Sequence, residues 1–125
     1  MGALTGSQHV TENLRQTIRN NRDLVLRELG TIPGVKVTIP EGAFYILPDF
    51  RAYDLDSNRL AAFLLEKVYV ATVPGAAFGM EGHLRMSYAG SQQDVMEGVR
   101  RIRWALDPEG PDSIYLGDEK AFRSW

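Results

Sequence analysis

Few side chains in this sequence could carry chemistry on their own. There is no cysteine, so thiolate chemistry and disulfides are excluded, and two histidines, His9 and His83, are too few for an ordinary zinc site. Several acidic residues lie in predicted turns, with no histidine or second acid nearby for general acid–base work: Glu41, Asp49, Asp54 and Asp56. No phosphate-binding P-loop or nucleophile elbow occurs. The sequence therefore predicts no metal site and no catalytic residue.

Arginine is the other residue type that could bind a ligand. Arg85 lies in a stretch, residues 83–88, that alternates as a β-strand does. Its two faces carry different side chains: Leu84, Met86 and Tyr88 on one, His83, Arg85 and Ser87 on the other. We expect helices to cover the apolar face, so Arg85 faces whatever lies across the other side of the sheet. The arginines at 100, 101 and 103 lie near a helix C-terminus, where cations offset the helix dipole, and do not indicate nucleic-acid binding.

The composition is typical of one globular domain. The chain has 125 residues, of which 44% are hydrophobic and 24% charged, so it can bury a core without metals or disulfides. A net charge of -2 gives no long-range attraction to nucleic acid or anionic lipid. The apolar runs are far shorter than a bilayer span, and the N-terminus lacks the features of a signal peptide. We expect a cytoplasmic protein with neither nucleic acid nor membrane as a partner.

Helices are predicted at three places, each with a polar residue that can cap its start. The first runs from Thr11 to Leu29, and Gly30 follows it as a helix terminator. Its apolar positions share one helical face: Leu14, Ile18, Val25 and Leu29. The second begins at Ser57, and the third follows Ser91 and stops at Asp107.

Four strands complete the predicted fold. Val35, Val37 and Ile39 alternate with polar residues, and a turn at residues 40–42 joins them to the apolar stretch 43–47, which predicts a hairpin. The β-branched stretch 68–73 predicts a third strand and residues 83–88 the fourth. This order predicts an α+β fold, an open two-layer sandwich in which a small, mostly antiparallel sheet carries the helices on one face.

The chain divides at residue 106. Residues 1–106 hold the elements above, whereas residues 107–125 open with a run of turn-forming residues. This tail carries apolar side chains that free linkers lack: Ile114, Tyr115, Leu116, Phe122 and Trp125. We expect an extension or interaction segment. Because the sheet face opposite the helices is otherwise bare, we also expect the chain to form a homo-oligomer or to fold its tail back.

Three segments, in this order and spacing, resemble the C-terminal small domain of class I aminotransferases of the aspartate aminotransferase type: Pro40–Asp49, Val73–Gly79 and His83–Ala89. With the helices before and after them, they cover about residues 3–106. The resemblance implies a subunit in which a large domain holds pyridoxal phosphate on a lysine, while the small domain closes over an amino acid or 2-oxo acid substrate.

The resemblance also implies roles for two residues. Arg85 matches the arginine that pairs with the substrate α-carboxylate, a role suited to a planar guanidinium that donates two parallel hydrogen bonds. Phe44 matches an apolar wall near the substrate, and Gly75–Gly79 the loop that leads into the arginine strand. Without the resemblance, Arg85 would be a surface arginine, Phe44 a core aromatic and the loop a simple turn.

The chain departs from the family's pattern in what holds the cofactor. The family's cofactor lysine lies in a serine-rich segment well upstream, and none of Lys36, Lys67 and Lys120 has that context. The phosphate-binding loop and the residues that contact the pyridine ring are also missing, so we expect these 125 residues alone to bind no pyridoxal phosphate and not to transaminate. Two functions stay open: an aminotransferase domain that depends on a large domain, or a stand-alone binding or oligomerisation module derived from it.

Overall fold

The computed structural model describes residues 3–38 and 45–125, with side chains from Glu12 onward. Within these residues the chain forms three α-helices: α1 (Ala3–Leu29), α2 (Ser57–Val68) and α3 (Gln92–Leu106). The strands are β1 (Lys36–Thr38), β2 (Tyr45–Asp49), β3 (Val73–Pro74), β4 (Leu84–Ser87), β5 (Ser113–Leu116) and β6 (Glu119–Phe122). A 3-10 turn, Gly75–Phe78, follows β3.

The main sheet has the strand order β1-β2-β4-β3, and each neighbouring pair is antiparallel. Ile46 and Leu84 are fully buried on one face of it. Arg85 and Ser87 are exposed on the other face. This split confirms the alternation predicted for β4. It also confirms the predicted α+β sandwich, because the buried side chains of this face pack in one cluster with those of the three helices.

The core lies between this face and the helices. Its buried side chains come from all three helices and from the sheet: Val25, Leu29, Ile46, Leu60, Leu64, Val68, Leu84, Val99 and Ile102. Asn21 is fully buried among them, and its Nδ2 donates to the carbonyl oxygens of Tyr88 at 3.0 Å and Gly90 at 2.7 Å. This side chain therefore joins α1 to the chain that leaves β4.

The start predicted for α1 is wrong, because the helix begins at Ala3 rather than Thr11. Threonine can cap a helix, but it does not end one when the preceding residues can continue it. Leu14, expected on the core face, is 53% exposed. Among the side chains of α1 described from Glu12 onward, the partly buried Ile18 is the first that packs against the core.

The region around α2 corrects two further expectations. Its N-cap is Asp56, whose side chain accepts from the Arg59 amide at 3.1 Å, and not Ser57. The predicted strand 68–73 is wrong except at Val73. The helix continues to Val68, and Tyr69 ends it in the left-handed conformation at φ 57°. Burial of Val68 in the core outweighs the β propensity of this stretch.

Other boundaries are as predicted. Ser91 caps α3 by accepting from the Asp94 amide at 3.1 Å, and Asp107 follows its last residue. The hairpin partners are also confirmed, since β1 pairs with β2. The turn expected at residues 40–42, together with Ile39, Ala43 and Phe44, lies outside the described residues.

The tail folds back onto the helices. Its strands β5 and β6 form a hairpin around Gly117. The Trp125 ring meets those of Phe63 on α2 and Trp104 on α3, each at a centroid distance of 5.2 Å. Its Nε1 donates to the carbonyl of Ala105 at 3.0 Å. The Arg123 guanidinium lies 5.0 Å from the Trp104 ring centroid. The tail thus packs on α2 and α3, while Arg85 stays exposed on the described part of the other sheet face.

Candidate functional site

Arg85 lies on β4, between β2 and β3, on the open face of the sheet. Its guanidinium carbon is 5.1 Å from the ring centroid of Tyr45 on β2 and 6.0 Å from that of Phe78, distances that allow cation–π attraction. Within residues 3–38 and 45–125, the guanidinium makes no hydrogen bond and no ion pair. Its N–H donors are therefore available to an anion from outside the chain.

Two other arginines, Arg51 and Arg59, are occupied by carboxylates. Arg51 bonds to Asp49 at 2.8 Å, and Arg59 bonds to Asp54 through two nitrogens at 2.8 and 2.7 Å. The hydrogen bond from Arg59 lowers the pKa of Asp54, so that carboxylate stays ionised and paired. Arg85 has no such intramolecular carboxylate in the described part of the chain. Its donors are therefore free to receive a ligand carboxylate, unlike those of Arg51 and Arg59.

The predicted loop Gly75–Gly79 closes on itself beside this arginine. The Gly75 amide donates to the carbonyl of His83 at 2.7 Å, and the Met80 amide donates to the carbonyl of Gly75 at 2.7 Å. A Cβ at Gly75 would lie 1.8 Å from the Met80 oxygen, so only glycine fits here. The loop therefore holds Phe78 beside the strand that carries Arg85.

A charged cluster lies towards one end of the same face. His83 Nε2 is 3.8 Å from Asp49 Oδ2, so the expectation that no histidine lies near Asp49 is wrong. The two residues pair in an antiparallel β-bridge, which the register between β2 and the start of β4 creates. Hydrogen bonds from Arg51 lower the pKa of Asp49 to about 2. Because that carboxylate is ionised and hydrogen-bonded to Arg51, Asp49 forms a structural ion pair and is not a catalytic base.

The three lysines do not suit pyridoxal phosphate. Lys36 is exposed on β1, the Lys67 amine lies 6.0 Å from the Trp125 ring centroid, and Lys120 lies over the Tyr115 ring at 5.8 Å. An aldimine lysine needs its amine desolvated in a pocket. These surface positions do not provide one, so the chain's own lysines do not fit the cofactor.

No cluster of three or more side chains that could ligate a metal occurs in the described residues. None of the helices in residues 3–29, 57–68 and 92–106 is long and apolar enough to cross a bilayer.

A cleft of about 510 Å³ opens on the helix side, between α1, α3 and the chain that follows α2. Its lining includes Met86, Val95 and Arg101 but not Arg85. Arg101 is already paired with Glu97 at 3.0 Å. The cleft therefore lacks the unpaired cation that marks the Arg85 face, which we take as the candidate site.

The sequence identified only part of this site. Arg85 is where the alternation placed it, while Phe44 lies outside the described residues and its role stays a prediction. Tyr45 and Phe78 were missed. The signal for Tyr45 was its position in the strand paired with β4, where it lies opposite Ser87. For Phe78 the sequence showed only an aromatic residue in a turn-rich loop, which is not a specific signal.

Comparison with known proteins relates this geometry to one family. The family model "Aminotransferase class I and II" matches residues 1–102. A probable aspartate/prephenate aminotransferase from Aquifex aeolicus is 49% identical over 104 residues, which are 81% of this chain and 26% of that protein. An aspartate aminotransferase from Pyrococcus horikoshii is 37% identical over 105 residues, 82% of this chain and 27% of its own length. The chain thus spans about a quarter of the relatives it matches.

Solved structures agree with these relatives. Thermus thermophilus aspartate aminotransferase with maleate matches with a TM-score of 0.73 and 39% identity, over 83% of this chain and 28% of that one. The aromatic aminotransferase from Pyrococcus horikoshii matches with a TM-score of 0.71 and 35% identity, over 78% of this chain and 26% of that one. Sequence and fold together show that the chain belongs to the class I and II aminotransferase family, of which pyridoxal phosphate is the characteristic cofactor.

Proposed function

We propose that this chain is the C-terminal small domain of a pyridoxal-phosphate-dependent aminotransferase, which transfers an amino group between an amino acid and a 2-oxo acid. In this proposal Arg85 binds the substrate α-carboxylate and Phe44 forms an apolar wall near the substrate. The observation that carries the proposal is the exposed Arg85 guanidinium, which has no hydrogen-bond or ion-pair partner in the described residues. A cytoplasmic location and homo-oligomerisation stay predictions.

Arg85 would act by binding and orientation. Two parallel N–H donors of the guanidinium match the two oxygens of a carboxylate, which fixes the direction of the substrate as well as its position. Covering the open face with a second domain would exclude water and strengthen this charge–charge contact. Because the chain's lysines do not fit the cofactor, the cofactor and the proton-transfer groups are assigned to a large domain.

A chimaera tests whether the chain can act as this domain. In the Aquifex aeolicus relative, the matching segment is replaced by this chain, and the control protein ends before that segment. We expect the chimaera, loaded with pyridoxal phosphate, to convert aspartate and a 2-oxo acid, whereas the control does not. A folded chimaera that binds the cofactor but shows no amino transfer would contradict the proposal.

The tail favours a second candidate, a stand-alone binding or oligomerisation module. Its hairpin docks on α2 and α3 through Trp125, a feature that carboxylate binding at Arg85 does not require. An inactive chimaera, together with a stable dimer of the 125-residue chain in light scattering, would favour this module. An active chimaera would favour the aminotransferase domain.

A further inference from the structure

Two aromatic rings approach the Arg85 guanidinium from the two strands that flank β4. Tyr45 belongs to β2, and Phe78 ends the 3-10 turn that follows β3. Their ring centroids lie 5.1 and 6.0 Å from the guanidinium carbon. A planar guanidinium stacks readily on aromatic rings while its edge N–H groups stay free for a carboxylate. The rings can therefore restrict the arginine without occupying its donors.

The loop that carries Phe78 is anchored by a buried hydroxyl. Ser57, the first residue of α2, is fully buried. Its Oγ donates to Glu81 Oε1 at 2.9 Å and accepts from the Ala76 amide at 2.9 Å. The Ser57 side chain thus hydrogen-bonds to the loop on both sides of Phe78. These bonds restrain the loop that carries Phe78, which is itself 37% exposed.

We propose that Tyr45 and Phe78 are positioning residues, which hold the Arg85 guanidinium in the orientation that receives a carboxylate, and that Ser57 and Glu81 position Phe78. The proposal rests on the carboxylate role given to Arg85 above. An exposed arginine must lose most of its rotamer freedom on binding, and a side chain already ordered avoids that cost. For one such side chain the difference corresponds to roughly 2- to 12-fold in affinity.

The effect is measurable on the 125-residue chain by NMR of the Arg85 side chain. We compare Phe78→Leu and Tyr45→Leu with Phe122→Leu, a control at an aromatic residue that is 68% exposed on the tail hairpin. The first two variants should lower the ¹⁵N–¹H NOE of the Arg85 Nε–Hε group and change its ring-current shift. Phe122→Leu should change neither. An Arg85 signal that is unaltered in both site variants would overturn the proposal.

Glu81 offers a matched pair of variants at an exposed position. Glu81→Ala removes the acceptor for the Ser57 hydroxyl, whereas Glu81→Gln keeps an oxygen that can accept the bond. Glu81→Ala should lower the ¹⁵N–¹H NOE of the Arg85 Nε–Hε group, as Phe78→Leu does. Glu81→Gln should leave it unchanged. Equal effects of the two substitutions on the Arg85 NOE would overturn the assignment of Ser57 and Glu81.

Titration with sodium acetate, at ionic strength held constant with sodium chloride, separates this proposal from the function on which it rests. We expect a saturable shift of Arg85 Nε–Hε in the wild-type chain, with affinity reduced roughly 2- to 12-fold in Phe78→Leu and Tyr45→Leu. A wild-type response with equal affinity in both variants would overturn the positioning role alone. No response of wild-type Arg85 would overturn its carboxylate role, and the positioning role with it.

Discussion

Replacing Trp125 with alanine should destabilise the chain by about 2 kcal/mol. The side chain is 40% exposed, so roughly 150 Å² of its surface is buried, and about 25 cal/mol per Å² gives an upper value near 4 kcal/mol. A compact denatured state and a position at the chain end both reduce that figure. The loss includes the edge contacts with Phe63 and Trp104 and the hydrogen bond to Ala105.

Urea unfolding followed by circular dichroism measures this loss. For a chain of this length, about 2 kcal/mol corresponds to a fall in Tm of roughly 6–10 °C. Phe122→Ala is the matched control, because that aromatic lies three residues earlier in the same tail and is 68% exposed. It should change stability by no more than about 0.5 kcal/mol. Similar small effects at both positions would show that the tail is not docked on α2 and α3.

Three further outcomes are expected. Asn21→Ala removes the donors to the carbonyls of Tyr88 and Gly90 and should cost about 1–3 kcal/mol in urea unfolding, and an unchanged midpoint would refute this role. Asp49, whose pKa Arg51 lowers from 3.8 to about 2, should contribute about 1 kcal/mol above pH 3.8 that is lost as pH falls towards 2. Asp49→Asn should remove that part of the pH dependence of stability, and identical profiles would contradict it. Mixed with pyridoxal phosphate, the 125-residue chain should give no stoichiometric aldimine, and a saturable absorption band lost on changing one lysine would contradict this.

Local signals in the sequence were enough for the elements whose boundaries depend on nearby residues. Ser91 and Asp107 bound α3 as expected, because a cap and a stop act within one turn of helix. The alternation of residues 83–88 was sufficient to place Arg85 on the open face. Propensity failed for the stretch 68–73, where Val68 ends α2 in the core, Tyr69 takes the left-handed conformation, and only Val73 lies in a strand.

Contacts between distant parts of the chain could not be predicted. The approach of His83 to Asp49 depends on strand register, and the loop anchor at Ser57 depends on how α2 meets the turn after β3. The sequence predicted that the tail is an extension or interaction segment, but it did not predict the tail hairpin. A signal was present there, since Gly117 and Asp118 separate residues 113–116 from residues 119–122 as a two-residue hairpin loop does.

The kinetics of Arg85 variants in the chimaera test the central claim most directly. A bidentate guanidinium–carboxylate contact in a closed site is on the order of 2–4 kcal/mol, so Arg85→Ala should lower kcat/KM for amino acids roughly 30- to 1,000-fold. Arg85→Lys should recover only part of this loss, because a point charge restores attraction without the two parallel bonds. Arg59→Ala is the control, an exposed arginine of α2 that is paired with Asp54. A large loss at Arg85 with little change at Arg59 is the predicted result, and equal, small effects at both would contradict the carboxylate role.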